Sequence, residues 1–336
     1  MHREPHTARN SGAAEAAGVL GATSFVGQAV LARLQTSRHQ ASQRQASQHQ
    51  ASALDESAAT TATSVVSPVF AFSRQSAPSA ATTAAAGIHW QRLPVSPGAW
   101  HASIPQWIAV CPLWAVPEHF ALLESAGARR LVALSSTSRF TKRESAAAAE
   151  RAIAARLVAA EEEVLDWARS RGIAATILRP TLIYDGIHDR NVTAIADFIR
   201  RFGFYPVAGA ATGLRQPLHA DDVAAACQAA IGYDGLRDTY EISGGETLPY
   251  HEMVRRIFAW LGRPPRLARI PLPLVRAALP VANLLPGLGS MATMAVRMNE
   301  DLVFDHAAAA RDFGFQPRSF ALPLRSVSNH AAPIPR

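Results

Sequence analysis

The first group of residues able to do chemistry is a glycine-containing turn near the start of the chain. It reads Gly-Ala-Thr-Ser-Phe-Val-Gly over 21–27, directly after a short apolar run at 16–20 and before apolar positions at helical spacing. Between a strand and a helix, such a turn can hold a pyrophosphate on the free amide N–H groups of the helix N-terminus. A serine at the middle position adds a hydroxyl donor but reduces the room for a phosphate. We expect a dinucleotide to contact the residues of this turn, which are Gly21, Thr23, Ser24, Phe25, Val26 and Gly27.

The end of the second predicted strand bears on which dinucleotide is bound. Ser73 and Arg74 follow the apolar run at 69–72, and no acidic residue lies near them in the sequence. An Asp or Glu at this point would select the free 2′-hydroxyl of NAD, whereas an arginine can bind a 2′-phosphate. The sequence therefore favours NADP(H), with NAD(H) as the second choice. The alternative interpretation is that Arg74 is an ordinary exposed arginine in an arginine-rich chain.

These residues need a scaffold of alternating strands and helices, and the hydrophobic pattern supplies one. Strands are predicted at 16–20, 69–72, 88–90, 107–111, 131–134 and 173–178, and helices at 28–34, 117–127, 145–171 and 251–261. Strands that alternate with helices of ten or more residues form a parallel sheet that is covered on both faces. We predict an α/β fold, a Rossmann doubly wound parallel sheet with helices on both faces, plus a smaller C-terminal substrate domain.

The composition along the chain predicts its division into domains. The Rossmann dinucleotide-binding domain is expected over 14–180, and a mainly substrate-binding domain over 181–320, with 217–245 returning to the sheet. Residues 36–67 are rich in Gln, Ser and Ala and repeat a five-residue unit, so we expect a disordered insertion there. Residues 1–13 and 321–336 are expected to be flexible tails.

Length, charge and cysteine use exclude several protein classes. The 336 residues are 49% hydrophobic, which excludes a fully disordered chain or a mini-protein. The net charge of +7 does not come with a basic stripe and interleaved aromatics, so no nucleic-acid partner is expected. The two cysteines have neither metal-ligand nor disulfide spacing, and we expect no metal. Prolines break the apolar region at 270–296, and no export segment is recognisable, so the sequence predicts a cytoplasmic protein without a membrane span.

Four segments occur in an order that resembles a known superfamily. They are the turn at 21–27, Ser-Ser-Thr at 135–137, Arg-Pro-Thr-Leu-Ile-Tyr at 179–184 and Pro-Leu-His-Ala-Asp-Asp-Val-Ala at 217–224. Together they resemble the extended or atypical short-chain dehydrogenases/reductases, specifically the NAD-dependent epimerase/dehydratase group that acts on nucleoside-diphosphate sugars. The resemblance runs over about 18–317. It implies that Pro180 lies near the nicotinamide, and we also expect Ser135 to contact the cofactor.

The sequence departs from this group at its usual catalytic pair. The group carries Tyr-x-x-x-Lys on the long helix after the fifth strand, where lysine lowers the tyrosine pKa for proton transfer. The five tyrosines of this chain all lie elsewhere, and the residues near the expected positions, Ile153 and Leu157, are aliphatic. The candidates for a substitute are Thr137 to hydrogen-bond a substrate oxygen and Lys142 or Tyr184 to supply a proton. The alternatives are a solvated lysine at 142 and ordinary packing of the tyrosine at 184.

Further polar residues are candidates for contacts with a nucleoside-diphosphate sugar. Asp189 and Asn191 have the polar character expected of sugar contacts, and Arg215 lies where group members are expected to bind the diphosphate. The alternative for each is a solvated loop residue. Two functions follow: an NAD(P)-dependent oxidoreductase or epimerase of a nucleotide-activated sugar, or an NAD(P)H-binding protein without turnover, such as a redox sensor or assembly factor. A homodimer is a possible state of either.

Overall fold

The computed structural model describes residues 15–52, 68–76, 87–96, 100–282 and 288–322. The chain divides into two compact units. The sheet unit comprises Met1–Thr181, Leu218–Ser243 and Phe304–Pro317, and the second unit comprises Leu182–Pro217, Gly244–Val303 and Arg318–Arg336. The sheet unit therefore takes three separate stretches of the chain.

The sheet unit is built on seven parallel strands. With strands numbered along the whole chain, they are β1 Ala17–Leu20, β2 Val69–Ser73, β3 Ile88–Arg92, β4 Gln106–Ala109, β5 Arg130–Leu134, β6 Ala174–Pro180 and β11 Thr239–Ile242. Their order is β11-β6-β5-β4-β1-β2-β3, and every pair is parallel. The order reverses at β1, where the chain moves first to β2 and β3 and then to β4 on the other side. This is the switch point at which doubly wound sheets bind their ligands, and the predicted fold class is confirmed.

Helices connect these strands. The α-helices of the sheet unit are α1 Phe25–Ser52, α2 Phe120–Ser125, α3 Ser138–Thr141, α4 Ala148–Ser170, α6 Ala220–Ile231 and α10 Ala307–Phe313. Short 3-10 helices lie at Leu113–Ala115 and Pro117–His119, and a two-residue strand, β10, lies at Leu218–His219. No described helix is both long enough and apolar enough to cross a membrane.

The core of the sheet unit explains one glycine that no motif requires. Trp107 on β4 is fully buried, and its indole nitrogen donates to the Ile104 carbonyl at 2.8 Å. Its neighbour in the register is Gly18 on β1, where an added Cβ would lie 2.7 Å from the indole ring. Gly18 therefore makes the room that the large aromatic side chain occupies.

Helix α1 contradicts part of the predicted disordered insertion. The helix runs to Ser52, so residues 36–52 are helical, while 53–67 lie outside the described residues. Gln, Ala and Arg are good helix formers, and extending an existing helix costs far less than nucleating one. A side-chain contact also holds the start of the 36–52 part, because Gln228 on α6 donates to the Ser37 hydroxyl at 2.6 Å.

The second unit has shorter elements around its own core. These are β7 Ile183–Tyr184, α5 Val192–Phe202, β8 Tyr205–Ala208, β9 Leu214–Arg215, β12 Leu248–Pro249, α7 Tyr250–Trp260, β13 Leu267–Ile270, α8 Leu272–Ala282 and α9 Leu288–Arg297. β8 pairs with β13 in parallel, and β9 pairs with β12 in antiparallel. The inner faces of α5 and α7 pack into this core, which contains Ile195, Ile199, Met253 and Phe258.

Candidate functional site

The two glycines of the turn at 21–27 hold it tightly against the sheet. Gly21 has φ +83°, and its amide donates to the Phe72 carbonyl at 3.0 Å. A Cβ on Gly21 would lie 2.6 Å from the Cys111 nitrogen, and one on Gly27 would lie 2.4 Å from the Gly21 carbonyl oxygen. Both positions therefore require glycine, the first for its backbone angles and both for close packing.

Ser24 closes the turn from within. Its hydroxyl donates to the Gly21 carbonyl at 2.8 Å and accepts the Gly27 amide at 3.0 Å. The Ser24 hydroxyl therefore donates its proton within the turn, whereas the sequence alone indicates that it could donate to a phosphate. The amides of Phe25 and Val26, at the start of α1, have no acceptor in the described part of the chain. They are the N–H groups that an anion can take.

Beside the turn, the end of β2 presents one cation. The buried Ser73 hydroxyl lies 2.8 Å from the Thr23 hydroxyl and accepts the Gln75 amide at 3.0 Å. Arg74 is exposed and makes no hydrogen bond or ion pair with any residue that the structure describes. The guanidinium is therefore available to an incoming anion.

Cys111, at the end of β4, shows the local electrostatics. Burial raises the pKa of its thiol to about 11, although the charge of Arg74 acts in the opposite direction. Burial also lowers the pKa of His119, against the charge of Glu118, and Arg74 adds to the lowering. Arg74 and Glu118 therefore act on this point with opposite charges.

A buried ionic cluster joins the ends of β5 and β6 to α4. We call it the Glu161 cluster; its members are Ser135, Arg139, Glu161, Arg179 and Glu241. The Ser135 hydroxyl donates to Glu161 at 2.5 Å, Arg179 pairs with Glu161 at 2.6 Å and with Glu241 at 2.9 Å, and Arg139 also pairs with Glu161. Burial lowers the pKa of Arg179, but the two carboxylates outweigh it and the pKa is raised.

The Glu161 cluster was missed in the sequence. Its one signal there is Arg179, a charge within the apolar strand β6, because a charge in such a strand needs a buried partner. Within the cluster, the Ser135 hydroxyl donates to Glu161, and the expected contact of Ser135 with a cofactor stays a prediction.

Thr137 and Pro180 are brought together by the neighbouring strands β5 and β6. The Thr137 amide and hydroxyl both donate to the Pro180 carbonyl, at 3.1 Å and 3.2 Å. Thr137 is 7% exposed and precedes α3 directly. Its oxygen keeps the capacity to accept a hydrogen bond while its proton is held by Pro180.

Lys142 is an ion-pair partner in this structure. Its ammonium lies 3.6 Å from the Glu150 carboxylate, which also accepts the Ser145 hydroxyl at 2.6 Å. The lysine side chain is 25% exposed. The ion pair connects the loop after α3 to the first turn of α4. Lys142 is therefore not a solvated lysine, and its ammonium group is paired with a carboxylate.

Tyr184 is the second candidate proton donor. It is fully buried in the core of the second unit, where its ring packs edge-on against Phe320 at 4.9 Å. Its hydroxyl donates to the Ala321 carbonyl at 3.1 Å and accepts the Ala321 amide at 3.2 Å. The phenol thus fixes the 320–321 segment, which agrees with the alternative of ordinary packing.

Asp189 organises its own loop. The carboxylate is 4% exposed and accepts amides at the start of α5, including Val192 at 2.6 Å, and the Thr193 hydroxyl at 2.9 Å. Asn191 is exposed and donates to the Ile183 carbonyl at 3.1 Å. The Asp189 carboxylate therefore caps the start of α5, and the expected sugar contacts of Asp189 and Asn191 stay predictions.

Arg215 is likewise used by the protein itself. Its guanidinium donates to the carbonyls of Leu214 at 2.8 Å, Glu300 at 2.7 Å and Arg297 at 2.6 Å. It is 5% exposed, and burial lowers its pKa. The Arg215 guanidinium thus holds the turn after α9, and its expected contact with a diphosphate stays a prediction. No cluster of metal-ligating side chains occurs among the residues described.

The family comparison agrees with this arrangement. A model of the NAD dependent epimerase/dehydratase family matches residues 17–243, which include the turn, the Glu161 cluster and Thr137. The chain belongs to the NAD dependent epimerase/dehydratase family. The resemblance inferred from the four sequence segments is thereby confirmed.

Two curated relatives match only part of the chain. A segment of 121 residues is 35% identical to mitochondrial NADH dehydrogenase [ubiquinone] 1 alpha subcomplex subunit 9 from Arabidopsis thaliana, covering 35% of this chain and 29% of that protein. A segment of 148 residues is 26% identical to an uncharacterized protein from Sinorhizobium fredii, covering 44% of this chain and 37% of that protein. The chain thus matches about a third of the length of these relatives.

Solved structures of UDP-sugar 4-epimerases share the fold. UDP-N-acetylglucosamine 4-epimerase from Bacillus cereus has a TM-score of 0.61 at 12% identity and covers 90% of this chain and 94% of its own. UDP-glucuronic acid 4-epimerase from Bacillus cereus in complex with NAD has a TM-score of 0.59 at 13% identity, covering 90% and 93%. At such identities the similarity shows the fold alone.

The family's usual Tyr-x-x-x-Lys pair has no equivalent on α4. Ile153 is 38% exposed and Leu157 is buried, and neither can transfer a proton. The buried acid on this helix is Glu161, whose oxygens are bound to Ser135 and two arginines. The long helix α4 of this chain therefore carries a buried glutamate and no tyrosine.

Proposed function

We propose that this protein binds a nicotinamide dinucleotide on the turn at 21–27, prefers NADP(H) to NAD(H), and acts without the family's standard proton relay. The observation that carries the proposal is the pair of unoccupied amides, Phe25 and Val26, on a turn whose glycines admit no side chain. Membership of the family supports a nicotinamide cofactor. When bound, this cofactor would supply a hydride donor or acceptor.

The preference for NADP(H) rests on Arg74. An exposed guanidinium directly after β2 is suited to bidentate contact with a 2′-phosphate, and no carboxylate within the described residues forms an ion pair with it. Ser73, buried and bound to Thr23 and Gln75, holds the backbone from which Arg74 extends.

The absence of a relay favours a role that depends on holding the cofactor. Lys142 is paired with Glu150, Tyr184 is buried, and α4 carries no tyrosine. The partial relative from Arabidopsis thaliana, a subunit of NADH dehydrogenase, supports the interpretation as a redox sensor or assembly factor.

Titration of the purified protein with NADPH and NADH, followed by nicotinamide fluorescence, tests this proposal. We expect saturable binding of both, with the tighter dissociation constant for NADPH. Absence of saturable binding of either coenzyme to the folded protein would overturn it.

A second candidate function is hydride transfer with a nucleoside-diphosphate sugar. It is favoured by Thr137, which lies beside Pro180 with an oxygen able to accept a bond from a substrate hydroxyl. The UDP-sugar epimerases among the solved structures that share this fold give it further support.

Absorbance at the nicotinamide band, with a panel of UDP- and dTDP-sugars, separates the two functions. Turnover that falls at least about tenfold in Thr137→Ala, but not in the matched control Thr141→Ala on α3, would establish the enzyme. Tight cofactor binding without turnover across the panel would establish the binding protein.

A further inference from the structure

Phenylalanine and arginine side chains form an exposed patch at the C-terminal end of α5, in the second unit. We define the Phe/Arg patch as Phe198, Arg201, Phe202, Phe204, Arg263 and Arg266. Phe202 and Phe204 are 51% and 39% exposed. Phe202 lies 4.6 Å from Phe198 and 6.4 Å from Phe204 between ring centroids, and the Arg201 guanidinium lies 5.3 Å from the centre of its ring. Large aromatic rings that are exposed this close together indicate a surface that contacts another molecule.

The two chain segments of the Phe/Arg patch are fastened together. The Arg263 guanidinium donates to the Ile199 carbonyl at 2.7 Å, at the last turn of α5. The Tyr205 amide, directly after Phe204, donates to the Arg266 carbonyl at 2.9 Å. The patch is therefore assembled by tertiary contacts between residues about sixty positions apart, and the linear sequence does not display it.

The charge around the patch is mostly positive. Neither 198–217 nor 253–299 contains an Asp or Glu, and the neighbouring Asp197 is paired with Arg200. Arg201, Arg263 and Arg266 make no ion pair with any residue in the described ranges, and the same holds for Arg269 and Arg276 farther along. These arginines are exposed and have no carboxylate partner, although the Arg263 guanidinium also donates to backbone carbonyls, so an anionic surface would be attracted to them.

Exposed aliphatic side chains follow the patch along the chain. β13, which starts directly after Arg266, leaves Ile270 43% exposed, and Leu274 on α8 is 63% exposed. Aliphatic groups cannot stack on nucleic-acid bases, but they can enter the boundary between lipid headgroups and acyl chains. Apolar side chains among unpaired arginines are the composition of surfaces that lie on anionic bilayers.

We propose that the Phe/Arg patch binds the surface of a membrane that contains anionic lipids, with the arginines on lipid phosphates and the phenylalanines at the acyl boundary. The attachment is peripheral. It is independent of the cofactor turn, which belongs to the sheet unit.

Co-sedimentation of the full chain with lipid vesicles tests the proposal. The probes are vesicles of phosphatidylcholine alone and of phosphatidylcholine mixed with phosphatidylglycerol. We expect binding only to the mixed vesicles, and this binding should weaken as the salt concentration rises.

Arg201→Glu/Arg266→Glu should reduce the partition coefficient at least about tenfold, because each basic residue near an anionic surface contributes markedly to binding. Phe202→Ser/Phe204→Ser should also reduce it, although the charge is unchanged.

A matched charge control comes from the sheet unit. Arg92 and Arg143 are exposed there, and Arg92→Glu/Arg143→Glu changes the net charge by the same amount. This variant should bind mixed vesicles like the parent protein, and NADPH titration should be unchanged in the patch variants. Equal loss in the control, no effect of the phenylalanine variant, or no binding of the parent to mixed vesicles would overturn the proposal. So would binding of a DNA duplex or of polyglutamate that mixed vesicles fail to displace.

Discussion

Gly27 leaves no room for a side chain at the cofactor turn. The change Gly27→Ala would place a methyl group 2.4 Å from the Gly21 carbonyl oxygen and 2.8 Å from that of Ala22. We expect it to cost about 1–3 kcal/mol of stability, as overpacking does, and to weaken NADPH binding more than tenfold. Thermal unfolding and fluorescence titration measure the two effects. Gly232→Ala, where the nearest atom lies at 3.8 Å, is the control and should change neither.

Arg74 provides the test of cofactor preference at a single residue. Replacing it in Arg74→Glu removes the expected partner of the 2′-phosphate and introduces repulsion. We expect the NADPH dissociation constant to rise at least about tenfold, while that for NADH changes little, because a charge-assisted bond contributes about 1.5–3 kcal/mol. Arg92→Glu, at the end of the neighbouring strand β3, should leave both constants unchanged. Parallel loss of NADH and NADPH binding would contradict the role.

The roles of single residues were predictable where their requirements are local. The turn at 21–27 needs glycine at fixed positions between a strand and a helix. These requirements can be recognised from its seven residues and the patterns that flank them. Arg215 and Tyr184 have partners at 297–300 and at Ala321, far away in sequence, so these contacts could not be predicted. The Glu161 cluster could not be predicted for the same reason, since its members lie directly after β5 and on α3, α4, β6 and β11.

At the scale of elements, the Glu161 cluster joins α4 to the ends of two strands. Glu161→Ala would leave Arg179 buried with one carboxylate partner fewer. Because breaking a buried ion pair costs about 3–5 kcal/mol, we expect a loss of that size in the free energy of unfolding, measured with urea. The adjacent Glu162 is exposed, and Glu162→Ala should change it by less than about 0.5 kcal/mol. A small change in the free energy of unfolding for Glu161→Ala would show that the cluster does not stabilise the fold.

Helix α1 shows what composition alone misjudges. Its glutamine-rich part reads as disordered because it has little apolar area, yet its residues have good helix propensity and follow an anchored helical start. A proline at the exposed position 43, in Gln43→Pro, should reduce helical circular dichroism at 222 nm without lowering the melting temperature, because this part packs little. The same substitution at the buried Leu34 should lower both. An unchanged spectrum for Gln43→Pro would show that 36–52 is not helical in solution.

For the molecule as a whole, the alternation of strands and helices was enough to predict the doubly wound sheet. The reason is topological: parallel strands need long crossovers, and crossovers of one hand generate this strand order. The pattern of the sequence does not show how the second unit uses its polar residues. Asp189, Asn191 and Arg215 stabilise its loops and turns, and the Phe/Arg patch gathers two segments of like charge.

The central claim is that the dinucleotide lies on the amides at the start of α1. Hydrogen exchange followed by mass spectrometry, with and without saturating NADPH, observes those amides directly. We expect slower exchange in peptides that contain Phe25 and Val26 and in the peptide around Arg74, with little change around the Phe/Arg patch. Bound NADPH that leaves the 21–27 peptide unprotected would contradict it.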